Sequence, residues 1–347
     1  MAIIQKNLVG IEIGTKNIKM VKVNSKGKVT HHTYIDIPEK IITNGHIESK
    51  QMLTETLKAA RKKLGTGFSD CSLCFSTHDT VIRHITIPQM QDDFIQKNII
   101  LELSGFLPMN PEMYAIDYIL TDSIETEEKK ALQFLVYAIP ADIIKMYAQC
   151  LKDAGFKLKY IDIIENAYGK LHKLLKESFK VKESNFAFLY IDNSKAAISI
   201  YGNDKLFINK NLDAGVSKIC EDIAAKTGKP LEFIMKSIYT DDIFESEDLF
   251  AVEASIIQDY IKEVTYEASR VIDYFKNQNK ESTLEAVYFA GGFSHIKGIQ
   301  SYFAETLGMP VVLTSKFLDP MFDHTPDKKG IDYTNAIAIT LREEKIK

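Results

Sequence analysis

The run Val9-Gly-Ile-Glu-Ile-Gly-Thr-Lys-Asn-Ile-Lys-Met-Val21 decides the architecture. Apolar residues alternate on both sides of the polar Gly14-Thr15-Lys16-Asn17, the pattern of two strands joined by a tight turn. A second run has the same plan: Phe186 to Ile191 is apolar, Asp192-Asn193-Ser194-Lys195 is polar, and Ala196 to Tyr201 returns as a strand. Laid over the first at a constant offset, it pairs Glu12 with Asp192, Ile11 with Ile191, Ile18 with Ile198 and Met20 with Ile200. Two hairpins of one pattern, half a chain apart, predict two related lobes.

Outward from the hairpins, the stretch between them has its own order. His84 to Ile87 reads as a strand, Asp92 to Leu107 as a helix, Tyr114 to Leu120 as a strand, and the polar run Thr121 to Lys130 as a hairpin loop. Ala131 to Ile139 reads as a further strand, and Pro140 opens a helix that ends near Gly155. This is the pattern of a small inserted α/β subdomain. Beyond the second hairpin, Val216 to Thr227, Leu231 to Ile238 and Glu253 to Asn277 carry helical spacing, so the second lobe is expected to be helix-rich near 216–280. Ala286 to Ala290 is a short apolar strand running into Gly291-Gly292 and a helix-like stretch, Ile296 to Leu307, closed by Gly308.

Composition narrows the chemistry. With 347 residues and 45% hydrophobic content the chain buries a real core. No apolar stretch approaches the roughly 20 residues of a membrane span, and the opening MAIIQKNLVG lacks the layout of a secretory signal, so the expected location is the cytoplasm. A net charge of −4, with Lys and Arg spread along the chain, provides no basic stripe for nucleic acid. Cys71 and Cys74 form a lone CxxC without a second pair, and in a strand they face opposite sides, which argues for packing over zinc. The eight histidines show no ligand spacing such as HExxH.

Three segments can carry chemistry. A glycine-containing turn with Lys16 and Thr15 presents backbone N–H groups, charge and a hydroxyl to phosphate oxygens; the same residues also make an ordinary hairpin turn. Glu12 and Asp192, each at a strand end, can hold a hydrated Mg²⁺ between the lobes, or serve as solvated acids. At Tyr288 to Lys297, strand, Gly291-Gly292 and helix would let a flat purine or sugar approach the backbone beside a positive helix end, or simply form a tight turn. Neither GxxxxGK[ST] nor GxGxxG is present, which disfavours P-loop and Rossmann binding.

Taken in order, these segments resemble a known set. Val9 to Val21 resembles the first phosphate motif of actin-like ATPases, Leu189 to Ser199 the second, and Tyr288-Phe-Ala-Gly-Gly-Phe-Ser the adenosine motif. Within that superfamily, His84-Ile-Thr-Ile-Pro-Gln-Met, Leu107-Pro108, Ile116-Asp117-Tyr118, Tyr137-Ala138-Ile139-Pro140 and Ala154-Gly155-Phe156 resemble the insertion of the PilM family of type IV pilus assembly proteins. The resemblance covers nearly the whole chain. It implies a bilobed actin-like α/β fold: a first lobe of 1–83 plus 156–184, an inserted α/β subdomain of 84–155, and a second lobe of 185–347.

The resemblance further implies ATP with Mg²⁺ in the cleft. Gly14, Thr15, Lys16, Asn17, Asp192, Ser194 and Lys195 would surround the phosphates, Gly215 would follow the second hairpin, and Lys236, Gly291, Gly292 and Phe293 would lie near the nucleoside. Glu165, in the first inter-lobe connection, would orient the attacking water, with Glu12 as the other catalytic acid. The family has Asp where this chain has Glu12, an apolar residue and Gly where it has Asn193 and Ser194, Gly where it has Ala338, and Glu where it has Phe233; these departures imply at most a slow ATPase. The partner implied is the N-terminal cytoplasmic tail of a PilN-type inner-membrane protein, with Leu103, Phe106 and Tyr118 as peptide-pocket residues and the chain peripheral at the inner face of the membrane through that partner. The alternatives are a small-molecule kinase of the same superfamily and an FtsA-like division protein; the polar terminus Leu341-Arg-Glu-Glu-Lys-Ile-Lys lacks the apolar face of an amphipathic membrane helix.

Overall fold

The computed structural model describes residues 2–4, 8–38, 40–65, 67, 69–75, 77–125, 130–212, 215–240, 244, 247–280, 282–322 and 330–343. Each hairpin is the heart of a five-stranded sheet. From edge to edge, the first runs Lys157–Ile161, Asp70–Phe75, Val9–Ile13, Asn17–Val23, Val29–Asp36, and the second runs Val311–Leu313, Ala286–Ala290, Phe186–Ile191, Ala196–Gly202, Lys205–Leu212. Both are built alike: three consecutive antiparallel strands, then two parallel ones beside the first. Parallel neighbours require crossover connections, which supply the helices on the sheet faces. Val9–Ile13 and Phe186–Ile191 are buried at every position, as central strands covered on both sides must be.

The turns align the two hairpins differently from the sequence overlay. Gly14 N donates to Asn17 O at 2.9 Å and Asp192 N to Lys195 O at 2.8 Å, and the closing strand pairs are Ile13–Ile18 and Ile191–Ala196. Gly14 is therefore the counterpart of Asp192, a shift of two residues from the Glu12–Asp192 pairing. Because side chains alternate with a period of two, such a shift keeps every residue on its face and is invisible to pattern matching.

Two helices, Ile164–Phe179 and Thr334–Ala338, pass between the sheets and share one core with Val21, Val23, Phe188 and Tyr288. Gly10 makes the second crossing possible: a Cβ there would lie 1.9 Å from the Ala336 carbonyl oxygen. The outer face of the first sheet is covered by Lys50–Leu64 and Ala141–Asp153, that of the second by Val216–Thr227, Leu231–Thr240, Glu247–Gln278 and Ile299–Leu307. Cys71 and Cys74 fall in the cores on opposite faces of the first sheet. All four cysteines are free and buried.

The insertion is a three-stranded antiparallel sheet, Val81–Pro88, Lys130–Pro140, Tyr114–Glu125, with Asp92–Ser104 laid on it over a core of Ile85, Ile87, Ile99, Leu103, Phe134 and Val136. Two differences from the sequence reading have physical reasons. The polar run after Leu120 continues the strand to Glu125, because an edge strand with a solvated face needs no apolar alternation; residues 126–129 of that expected loop lie outside the described residues. The helix Ala141–Asp153, expected within 84–155, packs its Ile143, Tyr147 and Leu151 into the first lobe's core. Among the described residues, no helix is long and apolar enough to cross a membrane.

Candidate functional site

Between the sheets' turn ends lies a cavity of about 630 Å³. The first lobe contributes Lys16, Asn17, Lys19, Tyr34 and Asp36, the second Asp192, Asn193, Tyr239, Gly291, Gly292 and His295, and the second crossing Asp332, Thr334 and Asn335. Beneath it a pocket of about 30 Å³ is lined by Glu12, Gly14, Thr15, Cys74, Ser194 and Lys195, and Tyr190 and Asp192 face both. The two turns thus converge on one place.

Glu12 and Lys19 are opposite each other in the hairpin register and both are buried. Lys19 Nζ donates to Glu12 Oε1 at 3.3 Å, and Asn335 Nδ2 donates to the same oxygen at 2.9 Å. Glu12 Oε2 is buried without a hydrogen-bond partner. Burial pushes the Glu12 carboxyl above its ordinary value; Lys19 pulls it down and Asp192 pushes it further up. For Lys19, burial alone would lower the ammonium, but Glu12 and Asp192 outweigh it and hold the lysine protonated. The direction for Glu12 follows from burial, which leaves one oxygen unmatched and outweighs the pull of Lys19, with Asp192 adding to it.

An orphaned carboxylate oxygen in a pocket shared with Asp192 suits a hydrated divalent cation, whose waters can reach both acids. Among the described residues no three His, Cys, Asp or Glu side chains form a directly ligating cluster. Gly292 supplies the second test of fit. A Cβ there would stand 3.2 Å from Asp192 Oδ1 and 3.6 Å from Tyr239 Oη, filling the cleft wall, so the bare backbone keeps that wall open.

Other expected site residues have a different role or place. Gly291 has φ +95°, and a Cβ on it would meet the Ile191 carbonyl oxygen at 2.3 Å, so this glycine is demanded by chain packing before any ligand. Gly291-Gly292 does not lead directly into a helix: a 3₁₀ turn, Gly292–His295, intervenes, and Ile299–Leu307 begins after Gly298. Phe293 is fully buried in the second lobe's core, edge-on to Tyr260 with ring centroids 5.3 Å apart, and lines no cleft. On the helix Leu231–Thr240, Met235 and Tyr239 face the cavity whereas Lys236 and Phe233 point to solvent. Gly215 lines a cavity on the far side of the second turn, where its missing Cβ would be 2.8 Å from Asn193 O. Glu165 is buried and paired with Lys195 at 3.3 Å, outside the lining of the large cavity.

In the insertion, Leu103 is fully buried in the subdomain core and cannot line an open groove. Tyr118 packs edge-on to Phe134 with centroids 5.6 Å apart, and Phe106 is exposed beneath the Arg83 guanidinium at 5.5 Å. Missed from the sequence were Lys19, Tyr34, Tyr239, Asn335 and the His295–Asp332 pair at 2.8 Å. Lys19 was within reach of the hairpin reading, since it faces Glu12 across the strands. Asn335 and Asp332 arrive with the second crossing, which the resemblance marked only at Ala338.

With this geometry in view, residues 10–340 match the family described as type IV pilus assembly protein PilM. The chain belongs to the PilM family. A chain of a PilM–PilN type IV pilus biogenesis complex superposes with a TM-score of 0.78 at 19% identity, covering 96% of this chain and 97% of that one. The ethanolamine utilization protein EutJ from Carboxydothermus hydrogenoformans is similar with a TM-score of 0.57 at 11% identity, covering 98% and 89%. A ROK family glucokinase from Streptomyces griseus, in complex with glucose and AMPPNP, gives 0.52 at 9% identity, covering 96% and 97%. At such identities these likenesses establish the fold, and the PilM-family chain has the bilobed actin-like architecture.

Proposed function

We propose that this PilM-family chain is a nucleotide-binding adaptor of type IV pilus assembly, holding Mg²⁺-ATP in the inter-lobe cleft and capturing the N-terminal cytoplasmic tail of a PilN-type inner-membrane protein. The observation that carries the reading is the cleft of about 630 Å³ closed at one end by both hairpin turns, with Lys16, Lys19, Glu12 and Asp192 gathered there. When bound, Mg²⁺-ATP supplies negative charge across the two lobes and a phosphoryl group for transfer. Lys16 and Lys19 would neutralise phosphate oxygens, the turn amides around Gly14 would orient them, and Glu12 and Asp192 would hold the ion through its waters. Gly292, Met235 and Tyr239 would shape the nucleoside end.

Turnover is expected to be slow, below about 1 s⁻¹, the low end of enzyme rates. Glu165 is engaged by Lys195, so it does not stand free to orient water. The tail would pair with an exposed edge of the insertion's sheet, with Phe106 beside it, placing the chain at the inner face of the membrane through its partner. Calorimetry with Mg²⁺-ATP, followed by capture of the chain on the immobilised tail peptide, tests both parts. Absence of nucleotide binding would remove the first and absence of capture the second.

A further inference from the structure

The two hairpin turns touch each other directly. Asn193 Nδ2 donates to Thr15 Oγ1 at 3.2 Å, and Thr15 Oγ1 lies 3.4 Å from Ser194 Oγ. We propose that Thr15, Asn193 and Ser194 form a polar latch that holds the lobes together at the phosphate end of the cleft before nucleotide enters, and that it slows nucleotide entry and exit. The kinetic half rests on the nucleotide reading above; the closure half does not.

The geometry is that of a preset contact. A hydroxyl has one proton and two lone pairs, so Thr15 can accept from Asn193 while exchanging a hydrogen bond with Ser194. Both turns are fixed from behind. Gly14 N donates to Asn17 O at 2.9 Å in the first, and Asp192 N to Lys195 O at 2.8 Å in the second. The second turn is also bolted to the helix Val216–Thr227: the Asn193 carbonyl accepts from Ser217 N at 3.0 Å and from Ser217 Oγ at 2.8 Å, and Val216 N donates to Asp192 O at 3.1 Å. Lys195 reaches Glu165 on the first crossing at 3.3 Å. Partners held this firmly lose little freedom on meeting, so each hydrogen bond contributes most of its strength to closure.

The latch also stands between two spaces. Asn193 lines the large cleft and a rear cavity of about 480 Å³, and Ser194 lines the rear cavity and the small inner pocket. Opening the lobes at this end requires both contacts to break. An apolar residue at 193 and glycine at 194 could make neither. The Asn193 bond, net, shifts the closed-to-open ratio by roughly fivefold, and the longer, exposed Thr15–Ser194 contact by less.

The test compares the parent with Asn193→Leu/Ser194→Gly. One spin label on each lobe, at Glu55→Cys and Lys226→Cys, reads the lobe separation without nucleotide; both sites are exposed, and the native cysteines are buried. The expected result is a short, narrow distance distribution in the parent and a longer or broader one in the variant, with association of a fluorescent Mg²⁺-ATP analogue at least fivefold faster. Thr15→Val, which removes the hydroxyl common to both contacts while keeping shape, must widen the distribution too and decides the matter if the double variant does not fold. Unchanged distances in folded variants overturn the latch. A parent that binds no nucleotide overturns the kinetic half and the nucleotide reading, while the distances still judge closure.

Discussion

Glu12 carries a carboxylate into a place where only one of its two oxygens is matched, by Lys19 and Asn335. Its folded-state value is raised above 4.5, so the neutral form is favoured by folding; that contribution is complete below about 4.5 and is lost as pH rises through the raised value. Glu12→Gln, which cannot ionise, should remove this pH dependence: the parent should lose stability relative to the variant as pH rises from about 4.5 toward about 7.5, and the change in the melting gap, not its absolute size, is the readout, because the variant also leaves Lys19 without its carboxylate. The same substitution should weaken Mg²⁺-dependent nucleotide binding, and thermal melts with and without Mg²⁺-ATP across pH read both effects. The glycine pair splits in the same way. Gly291→Ala, driven against the Ile191 carbonyl at positive φ, should cost about 2 kcal/mol or more of stability, while Gly292→Ala should leave the melt nearly unchanged and weaken nucleotide about tenfold, roughly 1.4 kcal/mol. Equal effects of the two substitutions on melting would contradict this division. The sequence made both glycines conspicuous, but only the positions of Ile191 and Tyr239 separate the one the chain needs from the one that keeps the cleft wall open.

At the scale of elements, the hairpins were legible because alternation and turn chemistry are local, and the two-residue shift between them was not, because period-two patterns look identical before and after it. The crossing helix Thr334–Ala338 was legible only through the family resemblance, at Ala338, because its seat on the first sheet depends on Gly10, far away in sequence, accommodating the Ala336 carbonyl. In the insertion, strand, helix, strand, strand was read correctly in order, but the sequence could not tell which apolar residues of the helix and the loop after it face inward. Leu103 and Phe106 lie one helical turn apart and have opposite fates, one fully buried and one 54% exposed. Leu103→Ala should therefore destabilise the protein by about 2–5 kcal/mol, the range for emptying a core site, and affect tail capture only through loss of structure. Phe106→Ala should leave the melting temperature within about 1 °C, as surface substitutions do, and weaken capture of the tail peptide. Differential scanning calorimetry beside surface plasmon resonance on the immobilised tail separates the two; a destabilised Phe106→Ala would show that this ring supports the subdomain instead.

For the molecule as a whole, two crossings connect the lobes, and both end on one buried carboxylate. Asp162, just before the helix Ile164–Phe179, accepts from Ile163 N at 3.0 Å and Asn166 Nδ2 at 2.8 Å, and its other oxygen receives Lys170 and, at 3.3 Å, Arg342 Nη1. Arg342 follows the second crossing, on the strand Leu341–Glu343 that pairs with Ala2–Ile4. Its Nη2 donates to Ser72 at 2.6 Å, and its guanidinium lies 4.1 Å from the centre of the Tyr160 ring. Burial lowers the guanidinium's value and Asp162 raises it, the balance of a cation drawn out of water to serve a fixed anion. The first-lobe ends of both crossings are thus tied together through Asp162. Arg342→Met keeps the length and apolar contact of the side chain but cuts the hydrogen bonds to Asp162 and Ser72, and Lys170 still compensates Asp162, so the loss should be about 1–3 kcal/mol. Hydrogen exchange should rise at Ala2–Ile4 and Leu341–Glu343 while the helices Val216–Thr227 and Glu247–Gln278 keep their protection, because those pack on the far face of the second sheet. Exchange that rises evenly over the chain would mean the arginine supports the global fold; exchange and melting both unchanged would mean the two crossings are not tied through Asp162.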